Sequence, residues 1–435
     1  MERFLMEKIK VLAWGDFCCS TGFSTVMSNI WKRLDATGKY DLDVVGINYS
    51  GDPYDKEKFP GNVFTAMSAL NMRPPYNDPY GRQKLLDLLS AGQYDIVFLL
   101  QDTFILQTIM KQLLELQSTL EKPFKTVYYY PIDSTPKKDW ITDAVVPSNY
   151  PVAYTQYGYD ECVKIAPDLA DRLSIIYHGN SFDNYNYIED RESVKAFRYS
   201  AFRGEADNKF LIVNVNRNQR RKDVARSLMI LKEIKDRGVN DAILYMHMAH
   251  EDVGGNIVDM ANSLDLEMGV DYIVPQNFSV HSGFPESVVN LIYNSADAFL
   301  TTTHGEGWGL SVTEAMSTKT PVVAPNNTSL TEMLADNRAF LIDSGADPSM
   351  WIIKDSDNDR LRPLMDVKQA ADRLIDIKNG ILPDIEGAYE WVSNLTWDNI
   401  AKQWEDLIDK AHSEPLVKAY LGLNREQRRK NKVKK

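Results

Sequence analysis

Short, continuously apolar runs alternate with stretches of helical period along nearly the whole chain, and they do so in two series. The first series is KVLAWG (10–15), DLDVVGIN (41–48), YDIVFLLQ (94–101), KTVYYYPID (125–133) and LSIIYHG (173–179). After the first of these a glycine-containing turn leads into an amphipathic stretch from Phe23 to Leu34. A polar helical segment (189–203) then precedes a second series: KFLIVNVNR (209–217), AILYMHMA (242–249), YIVP (272–275), ADAFLTTT (296–303) and PVVAP (321–325). Strands that are apolar on both faces and separated by helices belong to parallel sheets covered on both sides. The expected fold class is therefore α/β, with two doubly wound, Rossmann-like domains in tandem. Their facing carboxyl strand ends would leave a central cleft, where such sheets take ligands. No sequence repeat links the halves; only the architecture recurs. Residues 51–82, rich in Gly, Pro, Asn and Tyr, read as an excursion.

The expected boundaries are 1–204 for an N-terminal, acceptor-side domain and 205–396 for a C-terminal domain. The stripe in WDNIAKQWEDLIDKA makes 397–412 a final amphipathic helix, and 413–435 is a basic tail. At 435 residues the chain is too long for one ordinary core. A net charge of −12 excludes a general polyanion binder. The tail departs from this: eight Lys/Arg against two Glu give it +6, leaving −18 for the rest. It reads as a solvated run, or as a weak contact with an anionic surface such as nucleic acid or a membrane. Three cysteines at Cys18, Cys19 and Cys162, with no metal-site spacing, point to reduced thiols and a cytoplasmic setting. The N-terminal residues do not read as a signal peptide, and the apolar run 96–100 is cut by Gln101 and Asp102, so no transmembrane segment is expected.

The stretch HGEGWGLSVTEAMS (304–317) follows the strand ADAFLTTT. It reads as a strand-to-helix loop on the strand's carboxyl side, with Gly305, Gly307 and Gly309 permitting positive φ and close backbone approach. A helix starting near Leu310 offers free N–H groups and a positive dipole end, which suit phosphate. Glu306 and Glu314 lie on different local elements without coordinating spacing, so they read as hydroxyl acceptors, not metal ligands. A second anion-binding feature, NVNRNQRRKD (214–223), places Arg217 and Lys222 across a loop that opens a helix; a guanidinium fork and an ammonium suit a diphosphate. Arg220 and Arg221 lie there too, so the alternative reading of this stretch is a solvated basic loop. The third feature is GDFCCSTGFS (15–24), where Gly15 and Gly22 permit a tight turn; it is not GxGxxG, and nicotinamide binding is not expected. Asp16 and Asp102 end strands facing the expected cleft, and His178 begins the interdomain link; these are candidates to meet an acceptor. DSDND (355–359) reads as a solvated acidic loop and His304 as a packed strand-end histidine or one that orients Glu306 or a diphosphate.

These residues resemble the GT-B glycosyltransferases, and most of all the retaining group called glycosyltransferase family four. EGWGLSVTEAMSTKTPVVAPN (306–326) is similar to that family's E-x7-E segment and RNQRRK (217–222) to its Arg-x4-Lys pair. SIIYHGNSFDNY (174–185) resembles the stretch that closes the first domain, and LTWDNIAKQW (395–404) the helix crossing back to it. The resemblance covers about residues 8–412. It implies that Arg217 and Lys222 neutralise a donor diphosphate and that Glu306 contacts the transferred sugar. It implies also that backbone N–H groups of Gly307, Trp308, Gly309, Leu310 and Ser311 line sugar and phosphate, that Glu314 binds the ribose, and that Gly15 and Gly22 close over the diphosphate. Asp133 sits where many members carry a His-Asp pair, but proline and isoleucine precede it here. Trp308 stands where Phe is common.

The implied function is retaining, metal-independent transfer of a hexose-type sugar from a UDP- or GDP-linked donor to an unidentified glycan, lipid, protein or nucleic-acid base. No cofactor is expected, because preorganised cations and a helix dipole can stabilise the leaving diphosphate. Two alternatives are a non-catalytic sugar-nucleotide binder on the same fold and another GT-B enzyme such as a sugar-nucleotide epimerase.

Overall fold

The structure is a computed structural model that describes residues 7–67, 78–279, 283–354 and 357–416. The tail from 417 onward and two residues of DSDND, Asp355 and Ser356, lie outside the described residues. The chain forms two compact units. The first comprises residues up to Pro131, Pro136–Tyr177 and Asp398 onward; the second comprises Ile132–Thr135 and His178–Trp397. Residues 178–204, expected in the first domain, pack with the second. Arg191–Ala201 forms a helix whose Arg198 reaches Asp297, with Nη2 3.1 Å from the carboxylate. The same helix sends the Arg191 guanidinium to the Asn294 carbonyl at 2.8 Å.

The first unit is a seven-stranded parallel sheet of β1 (Ile9–Asp16), β2 (Tyr40–Ile47), β3 (Asn62–Thr65), β4 (Ile96–Leu100), β5 (Lys125–Tyr130), β6 (Tyr150–Ala153) and β7 (Ser174–Ile175). Their order is β3-β2-β1-β4-β5-β6-β7, so the winding reverses between β1 and β4. Every residue of β4 is buried, as a strand covered on both faces requires. Helix Gly22–Ala36 follows β1, capped by the Thr21 hydroxyl, which accepts from the Ser24 N–H at 3.2 Å. The C-terminal helix Trp397–Ser413 packs here from Asp398 onward. Its Trp404 ring is fully buried, 5.1 Å from Phe98 and 4.6 Å from Tyr129, and truncation to alanine would cost roughly 3–5 kcal/mol.

The second unit holds β8 (Phe210–Val215), β9 (Ala242–His247), a small hairpin of β10 (Glu251–Asp252) and β11 (Gly255–Asn256), β12 (Tyr272–Ile273), β13 (Ala298–Leu300), β14 (Val322–Pro325) and β15 (Phe340–Ile342). A second hairpin, β16 (Trp351–Lys354) with β17 (Arg360–Pro363), follows. The six-stranded parallel sheet runs β12-β9-β8-β13-β14-β15, and its winding reverses between β8 and β13. That reversal positions the site: loops leaving adjacent strands to opposite sides open a crevice at their carboxyl ends. β8 and β13 are in register through Ala298 opposite Ile212 and Phe299 opposite Val213. The chain is thus α/β with two doubly wound parallel sheets, as the alternating runs require. Among the described residues no helix is long and apolar enough to cross a membrane.

Candidate active site

The loop after β8 and the loop after β13 flank the reversal point, and the second unit brings them together. The His304 backbone N–H donates to the Arg221 carbonyl at 2.8 Å. The fully buried His304 ring places Nε2 2.8 Å from Asp223, the residue that opens helix Val224–Asp236. Burial raises the Asp223 carboxyl, but His304 and then Arg226 outweigh it and hold the group low. His304 thus staples one loop to the other.

Glu306 is buried where the two loops meet. Its Oε1 lies 2.5 Å from Lys222 Nζ and its Oε2 3.0 Å from Arg221 Nη1. Burial favours the neutral acid, yet Arg221 and Lys222 prevail and hold its carboxyl down at about 2. Burial lowers the Lys222 amine, and the adjacent Arg221 adds to that against the pull of Glu306. Two cations thus contact the Glu306 carboxylate, and Arg221 is shared with Asp133 as well.

Backbone tethers fix the Glu306 loop. The Thr328 hydroxyl accepts from the Glu306 N–H at 2.9 Å, and the Ser329 hydroxyl donates to the carbonyls of Glu306 and Trp308 at 2.9 and 2.8 Å. Trp308 is buried against Trp391, with rings 6.3 Å apart and nearly parallel. Of the three loop glycines, Gly309 takes the left-handed conformation, at φ 114°. Gly305 is required by space instead, because a Cβ there would stand 2.1 Å from the Asp133 carbonyl. Helix Leu310–Ser317 starts directly after Gly309, with Leu310 and Ser311 half-buried in its first turn. One turn on, Glu314 accepts from the Tyr293 hydroxyl at 2.7 Å, and burial raises its carboxyl to about 7 against that bond.

Arg217 and Lys222 do not share a partner. Arg217 is half-exposed and grips Asp252 in the β10–β11 hairpin through Nε at 2.8 Å and Nη2 at 3.3 Å. Asp133 packs within the second unit: its Oδ2 is 3.3 Å from Arg221 Nε and its Oδ1 3.2 Å from Arg362 Nη1. His178 also belongs to the second unit, buried with its ring 5.3 Å from Trp308 and 6.3 Å from Trp397; burial lowers its imidazole to about 3, so it is neutral at pH 7. Asp357, in DSDND, is not simply solvated, since it pairs with Arg362 through Nε at 2.5 Å.

In the first unit, Gly15 and Asp16 end β1 and Asp102 directly precedes the helix after β4, so both loops flank that sheet's reversal. Gly15 is held to glycine by packing, since a Cβ would lie 2.8 Å from the Leu100 carbonyl and 2.9 Å from Met27 Cε. Gly22 is the first residue of the helix after β1. Asp16 accepts from the Thr21 hydroxyl at 2.7 Å, and burial raises its carboxyl against Thr21 and Asn48. The sequence reading missed Arg221, Asp223, Thr328, Ser329 and Arg362. Arg221 was visible as a basic neighbour of Lys222, but nothing local marks it as the partner of Glu306. Among the described residues no group of three or more His, Cys, Asp or Glu could hold a metal ion.

Residues 197–357 match the family model of glycosyl transferases group 1. The chain is 26% identical over 157 residues to the D-inositol 3-phosphate glycosyltransferase of Corynebacterium urealyticum, covering 36% of this chain and 31% of that protein. The corresponding protein of Corynebacterium efficiens is 29% identical over 153 residues, covering 34% of this chain and 30% of that protein. The chain thus spans about a third of the length of these curated relatives. Its fold is similar to sucrose-phosphate synthase from Thermosynechococcus elongatus, with TM-score 0.68 and 13% identity over 93% of this chain and 99% of that one. It is similar also to Anabaena HepE solved in complex with UDP and glucose, with TM-score 0.64 and 14% identity over 92% of this chain and 100% of that one.

Proposed function

We propose that this chain, whose residues 197–357 match the glycosyl transferases group 1 and whose fold is GT-B-like, is a retaining glycosyltransferase. It moves a hexose-type sugar from a UDP- or GDP-linked donor to an acceptor. The observation that carries this reading is the clamp of Glu306 between Lys222 and Arg221 at the sheet's reversal point. The clamp keeps an ionised carboxylate, an acceptor for sugar hydroxyls, beside an ammonium with charge to share.

In this reading the donor diphosphate takes Lys222 from Glu306 and recruits Arg217 from Asp252. The first turn of helix Leu310–Ser317 faces the phosphates with the N–H groups of Gly309, Leu310 and Ser311. Glu306 then accepts hydroxyls of the transferred sugar, and Glu314, one turn farther, accepts from the ribose. As the glycosidic bond lengthens, negative charge grows on the departing diphosphate and positive charge on the sugar. Lys222 and Arg217 meet the first and ionised Glu306 stands beside the second, and the burial of Lys222 and Glu306 strengthens their share of both interactions. The acceptor attacks on the face the diphosphate leaves, with a phosphate oxygen taking its proton, so the anomeric configuration is kept and no separate carboxylate base is needed. Asp16 and Asp102 are the residues proposed to meet the acceptor.

A panel of UDP- and GDP-sugars tests this by thermal shift and mass-spectrometric detection of released nucleoside diphosphate. Release with at least one donor is expected, undiminished by a chelator and lost in Glu306→Ala and Lys222→Ala. Tight donor binding without release would favour the binding protein, and conversion of the donor's sugar without an acceptor would favour the epimerase.

A further inference from the structure

The charges around Glu306 form a row. Asp357 holds Arg362 through two contacts, Nε to Oδ2 at 2.5 Å and Nη2 to Oδ1 at 3.0 Å. Asp133 stands between Arg362 and Arg221 with one oxygen toward each, at 3.2 and 3.3 Å. Glu306 stands in the same way between Arg221 and Lys222, at 3.0 and 2.5 Å. Anion and cation alternate from Asp357 to Lys222, so the row sums to zero. Arg362 is among the most buried charged side chains, at 2% exposure. It is carried on β17, beyond residues 197–357 that match the family model, as Asp133 lies before them.

Each inner member divides itself between two opposite charges. Arg221 leans on Glu306 only as far as Asp133 lets it go, and Asp133 lets it go because Arg362 occupies its other oxygen. Arg362 also donates to the Asp133 backbone carbonyl, which fixes where that carboxylate starts. The same carbonyl sits against Gly305, the residue before Glu306.

We propose that Arg362 and Asp133 are a positioning pair: by sharing Arg221 between two carboxylates they fix the orientation and charge of Glu306 once Lys222 turns to the donor. This rests on the glycosyltransferase reading of the site. Without Arg362, Asp133 draws Arg221 to itself and Glu306 loses a partner. Without the Asp133 charge, Arg221 belongs to Glu306 alone. The two single changes therefore act in opposite directions, and the double change relieves the first. The other charged groups beside the Glu306 loop, His304, Asp223 and Arg226, are paired with one another and stay unchanged in all these variants.

The test compares wild type, Arg362→Met, Asp133→Asn and the double variant in two measurements. The first is the ionisation of Glu306 at pH 4 by NMR of 13C-labelled glutamate carboxyls, assigned with Glu306→Gln. Glu306 is expected to be ionised in wild type, Asp133→Asn and the double variant, and partly protonated in Arg362→Met. The second is UDP release from UDP-glucose at pH 7, expected to fall about tenfold or more in Arg362→Met. It is expected to return to within about threefold of wild type in the double variant. Equal ionisation in all four proteins, or a double variant no more active than Arg362→Met, overturns the proposal. If Arg362→Met does not fold, Arg362→Lys, which keeps the charge but not the fork, takes its place with a smaller shift of the same sign. A wild type inert toward UDP-glucose whose variants still show the ionisation pattern would sink the donor reading while upholding the pair.

Discussion

Replacing Glu306 with glutamine changes one charge and almost no volume, so it isolates what the carboxylate contributes. In the folded protein the Glu306 carboxyl falls from its ordinary 4.5 to about 2. At about 1.4 kcal/mol per pH unit that difference is worth about 3 kcal/mol at neutral pH. Removing one partner of a buried ion pair costs about 3–5 kcal/mol by an independent route, because Arg221 and Lys222 are left facing each other. Glu306→Gln should therefore lower the unfolding free energy by about 3 kcal/mol at pH 7, read from urea unfolding followed by tryptophan fluorescence. The sign with pH follows from a depressed carboxyl. Its contribution is complete above 4.5 and is lost as pH falls toward 2, so the gap between wild type and variant should narrow to about 1 kcal/mol at pH 3. A difference below about 1 kcal/mol at pH 7, or one of equal size at both pH values, would show that Lys222 and Arg221 do not hold a charged Glu306.

Glu314 carries the opposite expectation: its carboxyl is raised to about 7, and an ionised carboxylate accepts from ribose hydroxyls more strongly than a neutral one, so UDP should bind more tightly as pH rises through 7. Calorimetry should show a steeper dependence in wild type than in Glu314→Gln. Gly309→Ala places a side chain at φ 114° and should destabilise by about 1 kcal/mol or more, seen as a lower midpoint in thermal unfolding. Gly305→Ala has no room beside the Asp133 carbonyl, so the loop must move; nucleoside diphosphate release should fall about a hundredfold with the fold retained by circular dichroism.

The fold was legible because its signal is local and repeated. Strands such as FLIVNV and IVFLL are apolar without alternation, and only a sheet covered on both faces accommodates them. The glycine loop and helix start after β13 were legible for the same reason, since turn chemistry is written in consecutive residues. Pairing across the sequence was not. Arg221 joins Glu306 over 85 positions and Arg362 joins Asp133 over 229, and an isolated Arg in a polar stretch looks the same whether it is solvated or buried in an ion pair. The partner of Arg217 was hidden similarly, because the acid that holds it lies on a short hairpin, Glu251–Asn256, that has no periodic pattern. Residues 178–204 were assigned to the first domain on chain order, whereas the salt bridge of Arg198 to Asp297 ties them to the second unit.

The central claim is that Lys222 exchanges Glu306 for a donor diphosphate. Calorimetric titration of UDP into wild type and Lys222→Ala at pH 8 tests it most directly. The account predicts one site per chain in the wild type and at least about tenfold weaker binding in the variant, the loss of one charge-assisted contact of about 1.5–3 kcal/mol. Equal affinity in the two proteins, or no binding of either UDP or GDP by the wild type, would contradict it.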